Sequence, residues 1–392
     1  MSKKINIALI QFGLFSNFRR GPQRFFPLLF KNYYSKSLGF NNLFFFTDVK
    51  SSEFLNNEFK QLGLKSRIVS LVNIRNRLKI FLENLDFIFK IIYYKIDIIH
   101  ICNYNHRIDY YERLKAVYRL PKFLKPKVII NINYCGFREE FLNSNHEGYN
   151  QLRKYDELFK SEYFDGIYTW YKDFKDFCIE KEIINKNVKI HAISSYFCDN
   201  EKYKPGIKKN QIIFASSLSN TKRPLIFLDA IISIIEQETE LISNWEFIIC
   251  GQGFYEKQIK TTIFNKNLAH RIKFYNDIHD LSSFFASSKC FVSTQKYENF
   301  TSLSMNEAMA AGNAILAFDV GQTHEYVKNN ENGLLTKNET ASGLKEIIVN
   351  YLNSHEMHDD MSKKSYKLAR EVHNEAKFIN ELDSYWINIL KN

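Results

Sequence analysis

Short apolar runs alternate along the chain with longer segments in which apolar residues recur every three or four positions. The short runs predict buried β-strands, and the longer segments predict helices that each bury one face. In the first half, the predicted strands are residues 5–10, 43–47, 66–71, 96–102, 127–132, 166–168 and 189–194. Strands and helices that alternate at this spacing favour parallel βαβ units.

The same alternation begins again near residue 211, after a connection that ends at Pro205 and Gly206. Strands are predicted at residues 212–215, 245–250, 271–275, 290–293 and 314–318, and the pattern after residue 333 is helical. We therefore predict an α/β protein with two Rossmann-like domains. The predicted bounds are 1–204 for the first domain, 205–372 for the second and 373–392 for a C-terminal helix.

One predicted helix, residues 74–94, combines basic and aromatic side chains. The basic residues are Arg75, Arg77, Lys79, Lys90 and, just beyond the helix, Lys95, and the aromatic residues are Phe81, Phe87, Phe89, Tyr93 and Tyr94. The pattern favours a crossover helix that packs its aromatic stripe on the sheet. An interfacial helix that enters lipid headgroups is the alternative.

Residues 293–333 join an apolar strand to a polar loop and a helix. The loop contains Glu298, the helix has Glu307 near its start, and Gly312 closes it before the next apolar strand. In open α/β sheets such a layout binds anions, because the free N–H groups and the dipole of the helix face the loop. This stretch therefore predicts an anion site.

Positive charge is concentrated at one end of the chain. The formal net charge is +11, and residues 1–100 contribute +10 of it, from 16 Lys/Arg and 6 Asp/Glu. No recognised nucleic-acid-binding module accompanies this charge, so nucleic acid is not a predicted partner. A coding bias toward Lys, Ile and Asn is one explanation of the total. The asymmetry favours a basic face on the first domain, suited to an anionic membrane or substrate.

Cysteine spacing and the N-terminal sequence indicate a cytoplasmic protein. The six cysteines are scattered without C-x-x-C spacing, which favours buried thiols in a reducing compartment. The N-terminus runs directly into a strand without a signal-peptide pattern. No stretch reaches the ~18 uncharged apolar residues of a membrane span.

Two histidines lie at the end of the strand predicted over residues 96–102. His100 is inside the strand and is interpreted as a core histidine, whereas His106 follows in the loop and is the better candidate for chemistry.

The segments ENFTSLSMNEAMAAG, AFDVGQTHEYV and NNENGLL, within residues 298–335, resemble the donor-site signature of the group 1, or family 4, retaining glycosyltransferases. More weakly, IIFASSLSNTKRPLIFLDA resembles the strand, basic loop and helix that open that family's donor domain. IICGQG resembles its glycine turn, and HAISSYFCDNEKYKP its interdomain segment. The resemblance implies the GT-B fold, with two Rossmann-like domains facing across a cleft and a C-terminal helix crossing back to the first. It also implies transfer with retention of configuration.

The resemblance implies a role for each matching position. Glu307 would accept hydrogen bonds from the nucleotide ribose, and Glu298 would hold hydroxyls of the donor sugar. Lys222, with Arg223 beside it, would neutralise charge on the leaving diphosphate. The implied catalytic set is Glu298, Lys222 and His106. The other residues placed at the donor are Ser217, Asn299, Phe300, Thr301, Ser302, Leu303, Gly13, Gly251 and Gly321.

Three features depart from the family pattern. Glu298 and Glu307 are nine positions apart, one more than in the family, and Ser217 stands where an arginine is usual. Residues 134–136, Tyr-Cys-Gly, stand where the family's first domain often has a histidine, so His106 is the substitute candidate.

The sequence as a whole predicts a hexosyltransferase that uses a nucleotide sugar such as a UDP- or GDP-sugar. No D-x-D pair occurs, which fits the family's metal-independent chemistry, so no metal or other cofactor is predicted. The predicted acceptor is a cell-envelope glycan, as in polysaccharide or lipopolysaccharide synthesis, or a lipid-linked glycan. The protein would then work in the cytoplasm, in peripheral contact with the inner face of the membrane. A catalytically silent GT-B-like binding or scaffold protein is the alternative.

Overall fold

The computed structural model describes residues 4–14, 21–72, 77–102, 108–132, 159–278, 280–300 and 302–391. The chain divides into two compact units. Unit 1 comprises Met1–Ser194 and Glu375–Asn392, and unit 2 comprises Ser195–Asn374. The first division therefore lies ten residues before the boundary placed at 204. The segment after Ser194 belongs to unit 2, where the backbone oxygen of Tyr196 accepts a hydrogen bond from Asn306.

The strands of the described residues are numbered in chain order. They are β1 (Asn6–Ile10), β2 (Asn42–Asp48), β3 (Ile68–Leu71), β4 (Ile98–Ile101), β5 (Lys127–Ile132), β6 (Gly166–Thr169), β7 (Lys189–Ala192), β8 (Lys209–Ala215), β9 (Glu246–Cys250), β10 (Ile272–Tyr275), β11 (Ser288–Ser293), β12 (Ala314–Phe318) and β13 (Gly333–Thr336).

The α-helices of the same residues are numbered likewise. They are α1 (Gly21–Ser35), α2 (Val49–Phe59), α3 (Arg77–Tyr93), α4 (Ile108–Tyr118), α5 (Lys172–Glu180), α6 (Pro224–Gln237), α7 (Glu256–Asn265), α8 (Ser282–Ser287), α9 (Leu303–Ala310), α10 (Thr323–Tyr326), α11 (Ala341–Asn353), α12 (His358–Lys367) and α13 (Glu375–Leu390). Short 3₁₀ turns and one π-helical turn, Leu368–Val372, lie between them.

Unit 1 is built on a parallel sheet with the strand order β3-β2-β1-β4-β5-β6-β7. Parallel strands joined by crossover helices are covered on both faces, so they read as continuous apolar runs. Every residue of β4 and of β6 is buried accordingly. The chain reverses its direction across the sheet beside β1, which pairs with both β2 and β4.

The C-terminal helix α13 belongs to unit 1, as predicted. Asp383 accepts hydrogen bonds of 2.8 Å from the hydroxyl of Tyr33 and from Nδ2 of Asn41. Nε1 of Trp386 donates to Nδ1 of His100 at 3.1 Å, and Trp386 is fully buried. The last helix is therefore a structural part of the first unit's core, and the expectation that it crosses back to that unit is confirmed.

Unit 2 has a second parallel sheet, with the order β10-β9-β8-β11-β12-β13. Its core joins large apolar residues of the sheet to α6 and α11, among them Phe214, Phe227 and Leu344. The helical pattern predicted after residue 333 was wrong at its start, because Gly333–Thr336 is the edge strand β13. A Cβ on Gly333 would clash with the backbone oxygen of Ile315, so glycine permits this pairing.

The two parallel sheets confirm the predicted α/β class with two Rossmann-like domains. The described cysteines are buried, and none of them forms a disulfide; they are Cys102, Cys178, Cys198, Cys250 and Cys290. Across the described ranges, no helix combines the length and the apolar character that a membrane span requires.

Candidate functional site

The predicted anion site lies where the sheet of unit 2 reverses its strand order. Strands β8 and β11 are neighbours there, and the chain continues from β8 toward one edge and from β11 toward the other. Open α/β sheets bind ligands at this switch point, outside the carboxyl ends of the strands. A small pocket occupies the place, and its lining includes Ser216, Lys222, Thr294, Gln295 and Ser302.

Hydrogen bonds join the loops that leave β8 and β11. Oγ1 of Thr294 donates to the backbone oxygens of Lys222 at 2.6 Å and Arg223 at 3.1 Å. In return, the guanidinium of Arg223 donates to the backbone oxygens of Thr294 and Gln295, both at 2.8 Å. The basic loop thus has a defined position at the mouth of the crevice.

The guanidinium of Arg223 is used inside unit 2. Besides the two backbone oxygens, it forms an ion pair with Glu339 at 2.7 Å and lies over the ring of Phe318 at 4.8 Å. Its backbone is left-handed, with φ of 46° at the cap of α6. As placed, Arg223 connects the two loops, and the phosphate role expected of it has no support in this geometry.

Lys222 is the cation that lines the pocket. Its side chain is half-buried, and its ammonium group donates to Oε1 of Gln295. Ser217, expected at the donor, is exposed in the same loop and contacts the hydroxyl of Ser219 at 3.4 Å.

Glu298 faces backbone N–H groups of its own loop. Its Oε1 accepts hydrogen bonds from the N–H groups of Asn299 and Phe300, both at 2.8 Å. The N–H of Gln322, after β12, lies 3.0 Å from Oε1 and 2.8 Å from Oε2. The carboxylate therefore ties the loop after β11 to the loop after β12, and this is a different task from the sugar contact that the sequence suggested.

Gly321 is part of the same arrangement. Its φ is +53°, and a Cβ at this position would clash with the carboxylate of Glu298. The glycine thus makes room for Glu298, whereas the sequence suggested a close approach to the ligand.

The side chains of Asn299 and Phe300 are buried in unit 2. Oδ1 of Asn299 accepts a 2.6 Å hydrogen bond from the hydroxyl of Ser293, and its Nδ2 donates to Thr323 at 3.0 Å. The ring of Phe300 packs against Tyr326, with centroids 5.1 Å apart. Both side chains stabilise the loop from inside unit 2. A contact of either residue with a donor would therefore involve its backbone.

Helix α9 begins at the pocket. Ser302 caps it by accepting a 3.4 Å hydrogen bond from the N–H of Met305. The first N–H groups of a helix have no partner carbonyl within it, so those of Leu303 and Ser304 are available for an anion. Thr301, also expected at this place, lies outside the described residues.

Glu307 lies in the second turn of α9 and is buried, with 1% of its surface exposed. The sequence had placed it near the helix start, where a carboxylate stabilises the dipole. The dipole acts mainly within the first turn, so stabilisation of the helix dipole does not account well for a glutamate at position 307. Glu307 is thus a buried carboxylate one turn behind the start of α9, and its ribose role stays a prediction.

Two polar contacts set the position of α9. Nδ2 of Asn306 donates to the backbone oxygen of Tyr196 at 3.0 Å. At the other end, the ammonium of Lys208 donates to the backbone oxygens of Ala311 at 2.7 Å and Ser288 at 2.8 Å. Burial lowers the pKa of Lys208 to about 7. No sequence pattern marks Lys208, since the residue precedes a strand and belongs to no motif.

The glycine turn after β9 packs on the loop after β8. The N–H of Leu218 donates to the backbone oxygen of Gln252 at 2.8 Å. A Cβ on Gly251 would clash with the backbone oxygen of Ser216, and one on Gly253 with that of Leu218. Gly251, expected at the donor, thus allows two backbone loops to meet.

In unit 1, Gly13 lies in the loop after β1. Its φ is +73°, and its N–H donates to Oδ2 of Asp48 at 2.8 Å. Asp48 also caps α2 by accepting from the N–H of Ser51 at 3.0 Å. His106 and residues 134–136 lie outside the described residues. His100 is buried beneath α13, which agrees with its interpretation as a core histidine.

The site gathers some of the predicted residues and adds others. Lys222, Ser302 and the start of α9 meet at one pocket with Thr294 and Gln295, which the sequence did not single out. Their position in the chain could have indicated them, because both residues directly follow β11, and ligands bind at the carboxyl ends of parallel strands. Within the described ranges, no group of three or more His, Cys, Asp or Glu is placed to hold a metal ion.

Comparison with known proteins finds a family match in unit 2, the unit that carries this pocket. Residues 199–368 match the family model described as glycosyl transferases group 1. The match confirms the group 1 part of the resemblance predicted from the sequence, and the matched stretch covers almost the whole of unit 2.

Two relatives share part of the chain. An uncharacterised glycosyltransferase of Methanocaldococcus jannaschii is 26% identical over 218 residues, which cover 54% of this chain and 59% of the relative. The lipopolysaccharide core biosynthesis mannosyltransferase LpcC of Rhizobium leguminosarum bv. viciae is 26% identical over 133 residues, 32% of this chain and 36% of the relative. The chain thus spans less than two thirds of the length of each of these relatives.

A solved structure extends the likeness to both units. HepE of Anabaena, determined in complex with UDP and glucose, aligns with a TM-score of 0.71 at 15% identity and covers 97% of this chain and 99% of its own. At this identity the likeness shows the fold. The protein therefore shares its fold with this neighbour.

Proposed function

We propose that the protein is a glycosyltransferase that takes a hexose from a nucleotide sugar held by unit 2. The observation that supports this most is that the glycosyltransferase family match falls on the unit whose switch-point pocket joins Lys222 to the start of α9. This combination suits a diphosphate, because the lysine and the helix N-terminus both offer positive charge to the leaving group. Glu307, one turn farther along α9, would bind the ribose.

The acceptor side of the proposal rests on different support. LpcC is named for lipopolysaccharide core synthesis, and residues 1–100 carry a balance of +10. We propose a cell-envelope or lipid-linked glycan as the acceptor, bound by unit 1, and work at the inner face of the membrane. Retention of configuration is proposed with it, and NMR of the first-formed product would show the anomer.

Thermal-shift measurements against UDP-, GDP- and other nucleotide sugars test the donor site. A ligand at 100 times its dissociation constant adds about 2.7 kcal/mol of stability. We expect one nucleotide sugar to raise the Tm of the wild type. Lys222→Ala and Glu307→Gln should each weaken binding at least about ten-fold, which is about 1.4 kcal/mol.

Lys257→Ala is the matched control, because Lys257 is an exposed lysine on α7, outside the pocket lining. Its Tm shift should equal that of the wild type. Equal shifts in all four proteins would remove Lys222 and Glu307 from the donor site.

A second candidate function is a donor-binding protein without transferase activity. It is favoured by Glu298 and Arg223, two expected ligands whose charged groups serve internal contacts. Binding of a nucleotide sugar without transfer or hydrolysis would support it, whereas turnover that depends on Lys222 would decide for the enzyme.

A further inference from the structure

Helix α3 exposes an unusual number of large apolar side chains. Phe81, Phe89 and Tyr93 are each about two-thirds exposed, at 66%, 65% and 68%. Leu82, Leu85 and Ile92 are exposed beside them. These six residues make up the outer face of α3. Scattered apolar residues are ordinary on a protein surface, but a contiguous set indicates a contact surface.

The six residues form one continuous surface. At about 100° per residue, positions 81, 82, 85, 89, 92 and 93 fall within an arc of about 120°. The rings of Phe89 and Tyr93 stack with centroids 6.0 Å apart. The charged residues of the helix lie outside this arc: Asp86 and Lys90 pair with each other at its flank, and Glu83 is buried on the opposite side.

The opposite face of α3 already has its packing partners. Phe87 and Ile91 are buried there. Arg113 of α4 donates to Glu83 at 3.3 Å, and both residues are buried. The helix therefore packs on unit 1 through one apolar face. Its outer face is a second apolar face, and this one is exposed. The crossover role favoured by the sequence accounts for the first face alone.

Basic residues and a further aromatic residue lie beside the carboxyl end of α3. Lys95 follows the helix and is exposed. The N–H of Lys127 donates to the backbone oxygen of Asp97 at 2.9 Å, so the turns before β4 and β5 are adjacent. The turn before β5 carries exposed Lys122 and Phe123, and Phe123 is 85% exposed.

We propose that the outer face of α3 docks on an anionic lipid bilayer. Apolar and aromatic side chains on one helix face, with lysines at its end, are what an interfacial helix presents to acyl chains and anionic headgroups. The positive balance of residues 1–100 complements a negative membrane surface. This proposal rests on the proposed function and names the surface that makes its membrane contact. Vesicle binding needs no donor, so a failure to bind vesicles would leave the donor site untouched.

Co-sedimentation of the full chain with vesicles tests the docking surface. The wild type should bind phosphatidylglycerol vesicles more strongly than phosphatidylcholine vesicles. Binding should fall in about 0.5 M salt, where charges are screened within a few ångströms. Phe81→Ser/Phe89→Ser should lower the bound fraction at least about ten-fold, because two rings no longer enter the bilayer.

Phe264→Ser provides the matched control. Phe264 is 83% exposed on α7 of unit 2, so its loss removes a similar exposed ring without touching α3. The control should bind vesicles like the wild type, and both variants should keep the wild-type Tm within about 2 °C.

Three results would overturn the proposal. The first is wild-type protein that stays in the supernatant with phosphatidylglycerol at low salt, and the second is a double variant that binds as the wild type does. The third is a dimer on gel filtration that the double variant converts to monomer, since the outer face would then belong to a second copy of the chain.

Discussion

Glu298 and Glu307 differ in what surrounds each carboxylate. Glu298 accepts hydrogen bonds from three backbone N–H groups in two loops, whereas Glu307 is buried on the helix that begins at the pocket. A spacing one residue longer than the family pattern separates them. At the scale of single residues, Glu298 connects the loops after β11 and β12, and Gly321 leaves room for its carboxylate.

Replacing Glu298 should therefore cost stability. Hydrogen bonds to a charged group contribute about 1.5–3 kcal/mol, and buried donors left without an acceptor add to the loss. We expect Glu298→Ala to lower the unfolding free energy of unit 2 by about 2–4 kcal/mol in urea titrations. Gly321→Ala should cost more than about 1 kcal/mol, through both its positive φ and its clash with Glu298.

Glu325→Ala is the control for this measurement, because Glu325 is a half-exposed glutamate on α10. Its effect should stay within about 0.5 kcal/mol. If Glu298→Ala is as stable as this control and loses only donor affinity, Glu298 is a sugar ligand after all.

At the scale of elements, α13 contributes buried side chains to the core of unit 1. It covers β4, where the indole N–H of Trp386 donates to His100, and that ring must be neutral at Nδ1 to accept. Burial lowers the pKa of His100 to about 3. Below its unfolded pKa of about 6.5 the unfolded chain therefore binds a proton that the folded chain does not.

This difference predicts acid sensitivity of unit 1 between about pH 6.5 and pH 3. The stability contributed by His100 is complete above about pH 6.5 and falls as the pH drops, by about 2 kcal/mol between about pH 7 and pH 5. His100→Gln keeps an acceptor for Trp386 and removes the titration. Its urea-unfolding free energy should fall less than that of the wild type over this range.

The exposed His270 supplies a control, because His270→Gln should leave the pH dependence of the wild type unchanged. An identical loss in the wild type and in His100→Gln would show that other groups cause the acid sensitivity.

At the scale of the whole molecule, the family match and the excess positive charge lie in different parts of the chain. Residues 199–368 carry the family match, while the excess positive charge belongs to the first hundred residues. The proposed division of labour, with the donor on unit 2 and the acceptor on unit 1, follows this difference.

The proposed donor site also predicts how the reaction responds to removal of metal ions by a chelator. In the proposed reaction, Lys222 and the start of α9 would offer positive charge to the leaving diphosphate, which is the task a divalent ion performs in other transferases. We expect transfer from the nucleotide sugar to continue within about two-fold after treatment with EDTA. Activity that disappears with EDTA and returns with Mg²⁺ or Mn²⁺ would contradict this, and EDTA should leave the Tm unchanged as a control for folding.

The sequence by itself determined most elements of the fold and marked one stretch as the candidate donor site. Apolar strands such as 127–132 and 314–318 were placed at their observed bounds, since a strand buried on both faces has an unbroken apolar pattern. The short edge strand β13 was missed, because four residues that begin with a glycine resemble the start of the next helix. The family signature marked residues 298–335, since it depends on residue order alone.

Only the tertiary structure decided what the individual side chains do. Glu298 and Arg223 were predicted as ligands, and each contacts a backbone group of a loop distant in the chain, Gln322 for Glu298 and Thr294 for Arg223. The apolar stripe of α3 was interpreted as one packed face, yet the folded helix has a buried face and an exposed one. Periodicity shows which residues share a side of a helix, but which side meets the core depends on the elements that pack against it.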